Sequence, residues 1–132
     1  MAYVKSYRDL EVYKLARKLA KEIFEISKTF PKEEKFSMTD QVRRSSRSVG
    51  GQIAESWAKR KYPKHFVSKL TDADGEQLET QHWVETAQDC EYISNDKATY
   101  FLNEYASVGR MLNAMMEKSD MFCKNSTTKN SS

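Results

Sequence analysis

Apolar residues recur at alternating steps of four and three along most of this chain. Val12, Ala16, Leu19, Ile23, Ile26 and Phe30 form the first such stripe, the seam that a helix presents when it packs in a left-handed bundle. Phe30-Pro31 ends it, because proline cannot donate to the helical ladder and pushes its predecessor toward extended backbone. Ser37 followed by Asp40 resembles a capping box and opens a second stripe, Met38, Val42, Ser46, Val49, Ile53 and Trp57, which stops before Tyr62-Pro63. A third runs through Phe66, Leu70, Ala73, Gln77, Thr80, Val84 and Ala87 and breaks at Ser94-Asn95-Asp96. Its middle is more polar than a core should be. The fourth, Phe101, Tyr105, Val108, Leu112, Met115 and Phe122, misses a step only at Ser119.

Each helix is then roughly 20–28 residues, or about 30–40 Å at 1.5 Å per residue, with connections short enough to make neighbours antiparallel. The fold expected is all-α, an antiparallel up-down-up-down four-helix bundle over residues 1–123, followed by a disordered polar tail over 124–132. A long three-helix array, or an open hairpin pair that closes on dimerisation, satisfies the same seams, because a seam fixes a face and not its partner.

Composition agrees with helices: 39% hydrophobic and 31% charged residues in 132, with only four Gly and two Pro. Two of those glycines, Gly50 and Gly51, fall inside the second helix with Ser45, Ser46 and Ser48. Each costs about 1 kcal/mol relative to alanine, so tight packing, within the bundle or between subunits, is expected to compensate; backbone access for a ligand is the alternative. The N-terminus has no apolar signal region, no stretch approaches the ~20 apolar residues of a membrane helix, and Cys90 and Cys123 lack CxxC spacing. A cytoplasmic protein with no membrane partner is expected. The glycosylation-like triplets at Asn125 and Asn130 are then without consequence.

No constellation announces an enzyme. Glu79-x-x-His82 has the spacing of one half of a di-iron site in a bundle core, but His65 has Tyr62 three residues before it where a carboxylate is needed, so no metal and no cofactor are expected. Cys90 lies two turns from His82, too far for thiolate and base to meet on one helix. Gly50-Gly51 lacks the ending of a phosphate loop.

Charge is more informative in its placement than in its net value of +3. Arg43, Arg44, Arg47, Lys59, Arg60, Lys61 and Lys64 face Glu55 alone within 43–64, whereas 72–96 carries Asp72, Asp74, Glu76, Glu79, Glu85, Asp89, Glu91 and Asp96 with no Lys or Arg. The two blocks either meet each other, within a bundle or head to tail between subunits, or the basic block is a phosphate-contacting nucleic-acid footprint of Arg43, Arg47, Lys59, Arg60, Lys61 and Lys64. Arg44 and Glu55, eleven residues apart, fall near one helical face with Gln41 and Ser48. They are expected to form a structural polar network with Glu79, in which loss of one charge from a buried pair would cost about 3–5 kcal/mol.

Tyr7-Arg8-Asp9-Leu10, Gln41-Val42-Arg43-Arg44 with Ser48, and Gln52-Ile53-Ala54-Glu55, in their spacing, resemble the signature of four-helix bundle proteins encoded in intervening sequences of bacterial 23S rRNA genes. Glu79-Thr80-Gln81-His82-Trp83-Val84, with Ala87, Cys90, Tyr92-Ile93, Gly109-Arg110-Met111-Leu112 and Met115-Met116, looks closer to the accessory variability determinants of diversity-generating retroelements. The likeness covers residues 7 to about 123. It implies a homopentameric bundle with no assigned enzymatic activity and, for the retroelement branch, a basic ring that binds RNA or DNA and partners a reverse transcriptase. The family usually has Asn-Ile-Ala-Glu-Gly where this chain has Gln52 and Ser56 at the ends; Ser45 and Glu76 also depart from its usual Ala and Ser. The function expected is a non-enzymatic oligomeric scaffold or accessory protein that binds nucleic acid, chiefly RNA; the alternative is a pentameric interaction module that binds none.

Overall fold

The structure, a computed structural model, describes residues 4–123; the expected tail, 124–132, lies outside them. Four long helices follow one another: α1 (Glu11–Ser27), α2 (Met38–Ala58), α3 (Pro63–Asp89) and α4 (Asn95–Glu117), with a final turn α5 (Ser119–Phe122). Each packs on its neighbour in sequence and α4 returns to α1, giving the antiparallel four-helix bundle. The α2–α3 seam is the most extensive and α1–α4 the least. Along that last seam lies an open cleft of about 910 Å³, lined by Glu22, Ile26, Tyr100 and Phe101 among others.

Every residue of the third stripe is buried, as are the central members of the other three; Ile26, Phe30, Trp57 and Phe122, at helix ends or beyond them, are half-buried. The polar middle of α3 is satisfied rather than exposed. Thr80 Oγ1 donates to Ser45 Oγ on α2 at 2.9 Å. Gln77 Nε2 donates to Asp74 Oδ1 at 3.0 Å, and its Oε1 accepts from Gln81 Nε2 at 2.7 Å. Gln77 is accommodated because α4 presents Gly109, where a Cβ would lie 2.8 Å from Gln77 Nε2. Glycine here buys close approach of two helices.

The α2 glycines behave otherwise. A Cβ on Gly50 would meet the Tyr13 ring at 3.5 Å, an ordinary contact, and one on Gly51 would meet nothing within 4 Å. Packing within the bundle therefore does not account for Gly51. Ser45 and Ser56, both fully buried, provide the small residues of the α2–α3 side instead.

Helix ends also differ from the sequence expectation. Ser37 makes no capping bond at the start of α2; its hydroxyl donates to Glu34 Oε1 at 2.7 Å. The Glu34 carboxylate takes over the cap, accepting from the Met38 N–H and from the Tyr92 hydroxyl at 2.8 Å. α3 ends at Asp89, and Glu91 just beyond it has a φ of 61°, the left-handed conformation that follows a helix C-terminus, with Tyr92 N donating to Ala87 O at 2.9 Å. α4 breaks at Lys118, next to the step missing from the fourth stripe, and α5 resumes to bring Phe122 under the α2–α3 turn.

Candidate nucleic-acid interface

The six basic candidates separate into two groups. Arg47 and Lys59 are twelve positions apart, about 18 Å along a helix, so the expected single footprint is divided between the flank of the bundle and one of its ends.

On the flank, Arg43 and Arg47 reach across to α1 and meet Phe24. Their guanidinium carbons lie 4.7 and 5.4 Å from its ring centroid, and Lys28 Nζ lies at 4.8 Å. Arg43 Nε also donates to Ser27 Oγ at 2.7 Å. One aromatic ring thus gathers three cations through its negative quadrupole.

At the end, Lys59, Arg60, Lys61 and Lys64 surround the α2–α3 turn. The last carbonyls of α2 favour cations there, and Pro63 starts α3 with no acidic residue in its first turn. Arg60 stacks on Trp57 with 3.8 Å between guanidinium carbon and ring centroid, and its Nε donates to Trp57 O at 2.9 Å. Trp57 in turn meets Phe122 edge-on at 6.2 Å, and Phe122 stacks on Phe66 at 5.8 Å. The turn therefore rests on a packed aromatic base. Tyr62 is 55% exposed, its ring 5.5 Å from that of His65. Among the described residues, none of the six cations has a carboxylate oxygen within 4.0 Å.

The expected polar network is brought together only in part. Arg44 donates to Gln41 at 3.4 Å, to both oxygens of Glu76, and to Glu79 at 2.7 Å; Trp83 Nε1 donates to the same Glu79 oxygen at 3.1 Å. The Arg44 guanidinium holds the Glu79 carboxyl below the usual carboxylate range. Glu55 stands apart, paired with Lys69 at 2.9 Å, which also donates to Gln52. The reason is axial: eleven residues are about 16 Å of helix, so in an antiparallel pair Glu55 faces an earlier turn of α3 than Arg44 does. Ser48 lies between the two clusters and takes part in neither. Arg44 is also 46% exposed, so the buried pair expected from the sequence is a rim pair with a far smaller cost.

A family model for the 23S rRNA-intervening sequence protein matches residues 8–114. The chain belongs to that family. Among solved structures, this 23S rRNA-intervening sequence protein is similar to a Bacteroides thetaiotaomicron protein described as of unknown function and from the S23 ribosomal protein family. The two are 26% identical with a TM-score of 0.71, over 80% of this chain and 95% of that one. No curated protein shows a significant match.

In this family member, the residues that the sequence analysis missed are Glu76, Trp83 and Tyr62. The first two are legible only once α2 and α3 are set in register. Tyr62 was legible earlier, since Trp57-x-x-Arg60-x-Tyr62 interleaves aromatics with cations. His82 is exposed and meets the edge of Trp83 at 4.7 Å, while Glu79 is engaged by Arg44. Among the described residues no group of His, Cys, Asp and Glu could hold a metal ion, and no helix is long and apolar enough to cross a membrane.

Proposed function

We propose that this 23S rRNA-intervening sequence protein is a non-enzymatic, homo-oligomeric scaffold that binds single-stranded RNA through its α2–α3 turn. One observation carries the reading: among the described residues, Lys59, Arg60, Lys61 and Lys64 have no carboxylate partner within 4.0 Å, and they stand beside Tyr62, which is 55% exposed. Cations without acids supply phosphate contacts. An exposed ring next to them supplies a stacking platform, the combination by which proteins hold unpaired bases. A ring of five copies, implied by the family resemblance, would repeat the turn and add avidity. A gene beside a reverse transcriptase and template repeat would place the chain in the retroelement branch.

The test is a mobility-shift assay with unstructured single-stranded RNA over a salt series. Four phosphate contacts at about −0.7 each give a slope near −3 in log affinity against log salt. Changing Lys59, Arg60 and Lys61 together to Glu should abolish the shift, and Tyr62→Ala should weaken it by roughly 5- to 150-fold, the equivalent of one lost stack. A wild-type chain that shifts neither RNA nor DNA at low salt overturns the proposal.

A further inference from the structure

Two glycines remain without a role inside the bundle. Gly51 on α2 and Gly75 on α3 each have open space where a Cβ would stand, although alanine is the better helix residue at an unhindered position. Each sits on a surface with a shape. Gly51, with Gly50, Ala54, Ala16 and Ala20, floors a groove of about 200 Å³ between α1 and α2. Gly75 belongs to the outward stripe of α3, Gly75, Leu78, His82, Glu85 and Asp89, which alternates steps of three and four on the side opposite the core. Leu78, at the centre of that helix, is 55% exposed.

The surfaces are opposite in charge. Arg17 and Arg47 line the groove, and Arg43 and Lys28 continue it around Phe24. Glu85 and Asp89 follow Leu78 on exposed positions of that stripe, and neither has a salt-bridge partner among the described residues. Spacing agrees as well: Gly50 to Arg43 and Leu78 to Glu85 are both seven residues, about 10 Å of helix.

We infer that the outward face of α3 of one copy seats in the α1–α2 groove of a second copy, with Leu78 against Gly50 and Gly51 and the acids of α3 against Arg43 and Arg47. The occupant is another copy because this same chain carries a ridge complementary to its own groove in shape and charge. The two surfaces lie on different faces, so the contact is heterologous and propagates head to tail to a ring or a filament. The basic residues thus divide by task, with Arg43 and Arg47 serving assembly and the turn from Lys59 to Lys64 remaining free. This rests on the oligomeric part of the proposed function and assigns the surfaces that would make it.

Sedimentation velocity of the full chain at micromolar concentration tests it. Leu78→Asp and Gly51→Leu should each shift the protein to monomer, raising the dissociation constant of the assembly at least 100-fold, with circular dichroism unchanged because neither position is packed inside the bundle. Arg43→Glu with Arg47→Glu should dissociate the assembly, as should Glu85→Lys with Asp89→Lys. All four changes in one chain should restore it, because groove and ridge are then complementary with signs exchanged. A wild-type monomer overturns both this contact and the oligomeric reading. A wild-type oligomer indifferent to Leu78→Asp and Gly51→Leu, or a quadruple variant that stays dissociated, overturns the contact alone.

Discussion

Glu91 occupies the left-handed region at φ 61° because the α3 C-terminus needs that conformation to turn the chain toward Tyr92. A side chain with a Cβ pays roughly 1–2 kcal/mol there, and glycine does not. Glu91→Gly is therefore expected to stabilise the protein by about 1 kcal/mol, read as a rise of a few degrees in thermal midpoint by calorimetry. An unchanged or lower midpoint would mean that the Glu91 side chain contributes as much as its backbone costs. The stop was not legible at this residue. Sequence reading placed it at Ser94-Asn95-Asp96, where the next helix is in fact capped by Ser94, which accepts from Lys97 N at 3.1 Å.

Between elements, carboxylates do the joining, and acid should loosen them. Glu34 links the α1–α2 connection to the start of α2 and to Tyr92, and Glu79 links α3 to Arg44 on α2. Hydrogen bonds from Ser37 and Tyr92 hold the Glu34 carboxyl below its ordinary 4.5, and Arg44 does the same for Glu79. Because the folded values are depressed, the stabilisation is fully present above about pH 4.5 and is lost as pH falls through the folded values. Denaturant midpoints should fall on going from pH 5 toward pH 3, and the fall should be shallower in Glu79→Gln and Glu34→Gln. Arg44→Ala should cost about 1 kcal/mol at neutral pH, the worth of a half-exposed, charge-assisted pair. The same elements show what a sequence can and cannot convey. Helix faces were legible because periodicity reports direction around an axis, and all seven members of the α3 stripe are buried. Axial register is a property of two helices at once, which is why Glu55 was assigned to Arg44 when it meets Lys69, and why Glu76 was not joined to Arg44.

For the molecule as a whole, α5 connects stability to the candidate interface. Phe122 packs against both Trp57 and Phe66, and Trp57 carries Arg60. Phe122→Ala should lower stability by about 3 kcal/mol, the lower end for a large aromatic truncated at a partly buried site. It should also weaken RNA retention while leaving the charge of the turn intact, which a mobility shift at a temperature well below the midpoint can separate from unfolding. Unaltered affinity in a folded Phe122→Ala protein would show that the turn does not depend on its aromatic base. The sparse α1–α4 seam has a different consequence, one of time rather than strength. With most of its partners on α2 and an open cleft on its other side, α1 is the helix that can part from the bundle at least expense, leaving α2, α3 and α4 as the residual folded unit. Amide protons of α1 should therefore exchange with solvent before those of α3, through a sub-global opening that bares the inner face of α4 around Phe101 and Tyr105.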